Sequence, residues 1–117
     1  MIELIIVATI LLILGSIALV KYSNVTEKAR SAEAYAVLAD IAAAESAYYV
    51  EYNGYTNNWA NLDRYSAAPV SQNFNFSITY APGSRYVNAV PISGRGTVSY
   101  YMCINGGGRG TTPPSCP

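Results

Sequence analysis

A charge-free apolar run near the start of the chain constrains its fold more than any other feature. The run extends from Leu4 to Val20, 17 residues without an Asp, Glu, Lys or Arg. As a helix it spans roughly 25 Å at about 1.5 Å per residue. That length is close to the thickness of a bilayer core, about 30 Å. Met1 and Ile2 lengthen the run, so the sequence predicts a helix that spans a membrane.

The residues that flank the run argue against a cleaved signal peptide. A signal peptide has a positive segment before its apolar stretch and a small-residue cleavage site after it. Here Glu3 precedes the run and Lys21-Tyr22-Ser23-Asn24 follows it. We therefore expect the segment to be retained. A buried, unpaired carboxylate costs several kcal/mol, so we expect Glu3 either to lie among lipid headgroups or to pair with a positive group.

Length and cysteine content bound the rest of the chain. Of its 117 residues, the part beyond the apolar run is only large enough for one small domain, whose core alone gives marginal stability. In an exported domain the even pair Cys103 and Cys116 predicts a stabilising disulfide. The chain has no His, which disfavours a zinc site, and the cysteine spacing is not that of a redox motif. We expect no metal and no cofactor.

Charge and histidine content bear on function. Seven basic and seven acidic residues cancel, so the net charge provides no electrostatic footprint for nucleic acid. The absence of His removes the commonest general base. The acids are dispersed, and no pair of carboxylates forms a recognisable site. We therefore predict that the chain is not an enzyme and has no catalytic residues.

Helical periodicity continues after the apolar run. Apolar residues recur at steps of four, three, seven and four on one face of a helix, at Ala34, Leu38, Ile41, Tyr48 and Tyr52. No proline occurs before Pro69, so one helix from Met1 to about Tyr52 is expected, with Asn53-Gly54 as its stop signal. Gly15-Ser16 and Ser23 to Thr26 are potential weak points, and the second could start a separate helix.

Glu45 occupies the vacant position within this apolar face. Carboxylates are seldom fully buried without a partner. We expect that this part of the face reaches solvent or that Glu45 pairs with a nearby basic side chain. A buried functional acid is the alternative.

The sequence pattern changes after the helix. A connecting loop with Trp59 and Leu62 as anchors is followed by three runs that alternate like strands, Phe74 to Tyr80, Tyr86 to Ile92 and Thr97 to Ile104. Pro82-Gly83 and Gly94-Arg95-Gly96 mark the turns. A small sheet needs a cover on its apolar face, and the amphipathic part of the helix is the available partner. Gly106 to Gly110 is predicted to be a flexible loop.

The predicted fold is α+β. A long N-terminal helix, apolar and protruding in its first half, packs its amphipathic second half on a small three-stranded antiparallel sheet, and a disulfide loop ends the chain. The expected division is a membrane-spanning half-helix at 1–23 and a globular part at 24–117. The globular part comprises the amphipathic half-helix (24–53), the connecting loop (54–73), the β-meander (74–104) and the disulfide loop (105–117).

Several side chains are candidate glycosylation sites. Asn24-Val25-Thr26 and Asn75-Phe76-Ser77 fit the N-glycosylation sequon. The segment that contains Thr111, Thr112 and Ser115 has the composition of an O-glycan acceptor. Ordinary loop and strand polarity is the alternative explanation for each.

The N-terminal stretch MIELIIVATILLILGSIAL resembles the first segment of type IV pilins, in which Glu3 matches the characteristic glutamate. Its neighbours Ile2, Leu4, Ile5, Ile6 and Val7 also match. The stretch AAAESAYYVEYNGYTNNWANL (Ala42 to Leu62) is similar to the end of the pilin helix and its following loop. The last strand with Cys103 and Cys116 resembles the family's C-terminal disulfide loop.

This resemblance implies a structural subunit, a major pilin, that forms a homo-oligomeric helical filament outside the cell for adhesion, motility or DNA uptake. Before assembly it would be a single-pass inner-membrane protein, served by a prepilin peptidase and the pilus assembly machinery. Glu3 would pair with the N-terminal amine of a neighbouring subunit and set the register. The filament core would be packed by Ile2, Leu4, Ile5, Ile6, Val7, Ile10, Leu11 and Leu14.

Two features depart from the family pattern. Glu3 stands two places earlier than the pattern requires, so we expect a leader and two mature residues before Met1. Val20 stands where many family members have a proline. The alternatives are a type II secretion pseudopilin or a minor pilin and, from another functional class, a membrane-anchored periplasmic binding module.

Overall fold

A computed structural model describes residues 1–116 of the chain. It confirms the predicted α+β fold, with a long N-terminal helix and an antiparallel sheet. The elements in chain order are helix α1 (Ile2–Tyr52), a short 3-10 helix (Trp59–Asn61) and strands β1 (Phe74–Ala81), β2 (Ser84–Pro91), β3 (Tyr100–Cys103) and β4 (Arg109–Gly110). The chain divides into two compact units, Met1–Ser31 and a second that begins at Ala32.

Helix α1 is continuous through both predicted weak points. The hydroxyls of Ser16, Ser23 and Thr26 donate to backbone carbonyls one turn earlier, at 2.7, 3.0 and 2.9 Å. These bonds satisfy the hydroxyls within the helix, so they do not compete for the backbone N–H groups that an N-cap would bind. The prediction that a separate helix could start near Ser23 is therefore wrong.

The end of α1 confirms the predicted stop signal. The helix ends at Tyr52, and Asn53 adopts a left-handed conformation with φ 52°. Its N–H donates to the Tyr49 carbonyl at 2.8 Å. Asn tolerates this conformation better than most residues, and here Asn53 rather than Gly54 adopts it.

The sheet is a meander in the order β1-β2-β3-β4. The β1–β2 hairpin runs in register from Phe74↔Pro91 to Ala81↔Ser84 and closes through Pro82-Gly83. Gly83 has φ +80°, a left-handed value that favours glycine. Both the hairpin and its turn were expected from the sequence.

The C-terminal region corrects the three-stranded prediction. Part of the predicted flexible loop forms a fourth, two-residue strand, with Met102 opposite Arg109 and Tyr101 opposite Gly110. The Cys103 N–H donates to the Gly108 carbonyl at 2.8 Å and tightens the turn between β3 and β4. The predicted disulfide is confirmed, since Cys103 and Cys116 are bonded and their Cα atoms lie 5.6 Å apart. This bond fixes the chain just beyond β4 to the end of β3.

One face of α1 and one face of the sheet form the core of the second unit. The helix contributes three predicted residues, Ala34, Leu38 and Ile41, and β1 contributes the alternating pair Phe74 and Phe76. The remaining buried members are Val87, Ala89, Tyr100 and Ile104. The predicted apolar stripe does not stay buried to the end of the helix. Tyr48 is half-buried and Tyr52 is 61% exposed, and their rings stack on each other.

Three acids of α1 tether the segment that connects the helix to β1. The Glu33 carboxylate accepts hydrogen bonds from the Ser71 hydroxyl and the Asn73 amide at 2.5 and 2.7 Å. Asp40 accepts from Arg64 and from the Tyr65 hydroxyl. Glu45 accepts from a backbone N–H in the same segment. The predicted anchors agree with this arrangement, because Leu62 is buried and Trp59 packs against the core.

Candidate functional site

The first unit presents an exposed apolar surface over residues 1–20. Every large apolar side chain from Met1 to Val20 is more than half exposed, with Ile10 the least at 51%. Thr9 and Ser16 satisfy their hydroxyls on carbonyls of the same helix. The segment therefore offers apolar atoms and no unsatisfied hydroxyl. By length and composition, α1 is apolar enough to cross a membrane.

The residues predicted to pack a filament core all lie on this surface. They are Ile2, Leu4, Ile5, Ile6, Val7, Ile10, Leu11 and Leu14, and each is more than half exposed. At 100° per residue these positions surround the helix. A helix that is apolar on all sides requires a membrane or several apolar neighbours, because a single partner covers only one side.

Glu3 lies in the first turn of α1, at the edge of the apolar surface. Its carboxylate is 3.3 Å from the Met1 ammonium, and both groups are almost fully exposed. An ion pair this exposed contributes little stability. Negative charge near a helix N-terminus is modestly favourable. Glu3 is thus available to a partner outside the chain.

The second unit has an exposed helix face that the sequence analysis missed. Residues at steps of four, three and four along α1 are small and exposed, namely Ala32, Ala36, Ala39 and Ala43. Ser46, Ala47 and Val50 extend the exposed face. The regular recurrence of alanine was the signal for it. Small side chains allow another helix to approach closely.

Glu45 corrects the sequence interpretation. It is fully buried, neither solvent-exposed nor paired with a basic side chain. Its Oε2 accepts from the Thr56 N–H at 3.1 Å, and its Oε1 has no hydrogen-bond partner among residues 1–116. Burial raises the pKa of the Glu45 carboxyl, and the bond from Thr56 only partly opposes that rise. The sequence could not show that the connecting segment folds over this side of the helix.

The candidate modification sites are accessible. Asn24 is exposed on α1 and Asn75 is exposed on β1. Thr111, Thr112 and Ser115 are exposed in the segment that the disulfide closes. The two cysteines are buried, so their bond is shielded from solvent thiols. The structure leaves glycosylation of these side chains as a prediction.

Residues 1–116 contain no group of three or more acidic or cysteine side chains arranged to hold a metal ion.

The aromatic side chains at the end of α1 contact one another and the connecting segment. Tyr49 stacks on Tyr55 with ring centroids 4.8 Å apart. The Arg85 guanidinium lies over the rings of Tyr55 and Tyr80, 5.7 and 5.6 Å from their centroids. These contacts hold β2 and the connecting segment together.

The candidate site is therefore a surface of the helix, apolar on all sides over its first turns and bordered by one acid, Glu3.

Comparison of the chain with protein-family models, with curated proteins and with solved structures found no match.

Proposed function

We propose that this chain is a structural subunit of the type IV pilin kind, which polymerises through its N-terminal helix into an extracellular filament. The observation that carries the proposal is the charge-free helical surface from Leu4 to Val20, exposed on every side and bordered by Glu3. The similarity of the N-terminal stretch to pilins supports the same function. Adhesion, motility and DNA uptake are the activities that such a filament serves.

The apolar helix has two successive environments in this proposal. Before assembly it lies in the inner membrane, where the backbone groups beyond its first turn are satisfied within the helix. During assembly it exchanges lipid for the helices of neighbouring copies, and close packing of side chains stabilises the new contacts. The same residues suit both environments because both are apolar.

Glu3 determines the register of assembly. A carboxylate placed among packed apolar helices is costly unless a positive group compensates it. The resemblance to pilins implies that the N-terminal amine of a neighbouring subunit is that group. A copy docked one helical step out of place leaves both charges unpaired, so the correct register is favoured.

The second unit supports packing between copies in another way. Its exposed alanine face offers a neighbouring helix a surface without bulky side chains. Its disulfide strengthens a small domain for conditions outside the cell. The exposed alanine face and the disulfide both suit a subunit that functions in an extracellular polymer.

The decisive experiment compares Glu3→Ala and Glu3→Gln with the wild-type chain in cells that carry the gene at its own locus. Membrane fractions should contain all three proteins in similar amounts. Filaments sheared from the cells and examined by electron microscopy should be abundant for the wild type and reduced at least tenfold for both variants. Asp63→Ala, which removes an exposed acid from the second unit, is the control and should assemble normally.

Other outcomes distinguish the alternatives. Abundant normal filaments from Glu3→Gln would show that the charge does not direct assembly. A wild-type chain found only in membranes, with no filaments, favours a pseudopilin, a minor pilin or an anchored binding module. Mass spectrometry of the N-terminus checks the accompanying expectation that a prepilin peptidase removes a leader.

A further inference from the structure

Glu45 differs from the other two acids that tether the connecting segment. Glu33 is half-buried and has two donors, and Asp40 is half-buried and pairs with Arg64. Glu45 is fully buried with a single donor, the Thr56 N–H. An ionised carboxylate in that position has no positive partner and an oxygen without a hydrogen bond. Of the three tethers, this one is the most costly to ionise.

No salt bridge within residues 1–116 joins Glu45 to a basic side chain, and the charged and aromatic groups of the neighbouring elements have other contacts. Tyr55 lies next to Thr56 in the connecting segment, but its ring stacks on Tyr49 of α1. Arg64 of the connecting segment pairs with Asp40, and the Arg85 guanidinium of β2 lies over the rings of Tyr55 and Tyr80. The Arg85 Nε is buried without a hydrogen-bond partner. On the next strand, the rings of Tyr100 and Tyr101 contact Tyr35 and Tyr86.

Thr56 connects Glu45 to the rest of the segment. Its N–H donates to Glu45, and its hydroxyl accepts from the Asn58 N–H and the Asn61 amide, each at 3.1 Å. Asn58 in turn caps the short 3-10 helix by accepting from the Ala60 N–H. A change at Glu45 therefore reaches the 3-10 helix through one buried residue.

We propose that Glu45 is a proton-dependent latch, which holds the segment Tyr55–Leu62 against α1 when protonated and releases it when ionised. A neutral carboxyl keeps the bond from Thr56 and avoids the cost of a buried anion. An ionised carboxylate lowers its free energy by reaching water. Water reaches it when the segment over it lifts. The latch belongs to the subunit and does not depend on filament formation.

The direction of the pH effect follows from linkage. The pKa of Glu45 is raised by burial in the closed state and returns towards 4.5 when the segment opens. The closed state therefore binds more protons between these two values. Its stability is fully present below pH 4.5 and is lost as pH rises through the raised pKa. Above that value the loss is complete and stability no longer changes through this group.

Amide hydrogen exchange of the full chain in detergent micelles tests the latch. The exchange rates at Thr56 and Asn58 are first corrected for the intrinsic effect of pH on each amide. Between pH 4.5 and the raised pKa of Glu45, the corrected rates should increase about tenfold per pH unit. Glu45→Gln keeps an acceptor for Thr56 but cannot ionise. In this variant the corrected rates should be independent of pH. Above the raised pKa of Glu45 they should be slower than in the wild type.

Asp40→Asn is the matched control, because it alters another acid that tethers the same segment. It should keep the pH-dependent acceleration at Thr56. The carbon-13 shift of the Glu45 carboxyl in the wild type gives a readout that needs no variant, and its midpoint should lie above 4.5. A midpoint at 4.5 or below would overturn the latch. Identical pH courses in the wild type and Glu45→Gln, or loss of the acceleration in Asp40→Asn, would also overturn it.

Discussion

At the scale of single residues, the environment of each acid on α1 decides its role. Glu3 is exposed and borders an apolar surface, so it is available to a partner outside the chain. Asp40 is half-buried and joins the connecting segment through Arg64 and Tyr65. Glu45 is buried within the core side of the helix. The chemical group is the same, and only the neighbours differ.

Tyr65 gives a prediction at this scale. Burial, together with the hydrogen bond to Asp40 and its negative charge, raises the Tyr65 pKa to about 12. The resulting stabilisation is present below pH 10 and is lost as pH rises through about 12. Asp40→Asn should lower the Tyr65 pKa towards 10 without reaching it, because burial remains. Carbon-13 shifts of the Tyr65 ring in a pH titration measure this change, and an unaltered pKa contradicts the role given to Asp40.

At the scale of elements, the C-terminal strands depend on a covalent bond. Strand β4 has two residues and, within residues 1–116, lies at the edge of the sheet beside β3. Two backbone pairs alone form a weak strand, since a short hairpin is marginal in water. The disulfide joins the end of β3 to the segment that follows β4, which restricts the conformations open to the unfolded chain.

Removing this bond gives a prediction at the element scale. The double variant Cys103→Ser/Cys116→Ser should lower the free energy of unfolding of the second unit by about 3 kcal/mol, given the short loop that the bond closes. Fluorescence of Trp59, which packs on the core, reports the unfolding of the full chain in micelles. Ser115→Ala, an exposed change beside Cys116, is the control and should leave the transition unchanged. Equal transitions for the double variant and the wild type contradict the prediction.

At the scale of the whole molecule, one continuous helix serves two units with opposite surface requirements. The first unit exposes apolar side chains throughout, and the second buries an apolar face of the helix within its own core. The first unit therefore favours an apolar environment, whereas the second contains its own hydrophobic core. In the function that we propose, this difference would let the first unit exchange lipid for other copies while the core of the second unit stays folded.

The dependence of the first unit on an apolar environment can be tested by adding charge. Leu12→Arg places a cation in the middle of the apolar run, where its insertion into a membrane costs about 2.5–3.5 kcal/mol. The variant should be depleted from the membrane fraction relative to the wild type. Val50→Arg places the same charge on an exposed position of the second unit and should be retained. Equal membrane retention of Leu12→Arg and the wild type contradicts membrane anchoring by this run.

Local sequence signals were sufficient for the long helix, its C-terminal end and the β1–β2 hairpin. A 17-residue run without charge, a 3.6-residue period, Asn53-Gly54 and alternating strands each act over a few residues, so each was recognisable without the fold. The cysteine pair was predictable because few arrangements are open to two cysteines in an exported domain. The exposure of the apolar run was also predicted, because the amphipathic second half of the helix was the available partner for the sheet.

Tertiary structure alone decided the features that depend on distant segments meeting. The burial of Glu45, the tethers at Glu33 and Asp40, and the pairing of β4 with β3 each join residues from different elements. Periodicity places Glu45 on a face of α1 but does not specify which segment covers that face. The residues next to Glu45 in the sequence would be the same whether its carboxyl faced water or lay beneath a folded segment. Its raised pKa arises from desolvation when the chain folds.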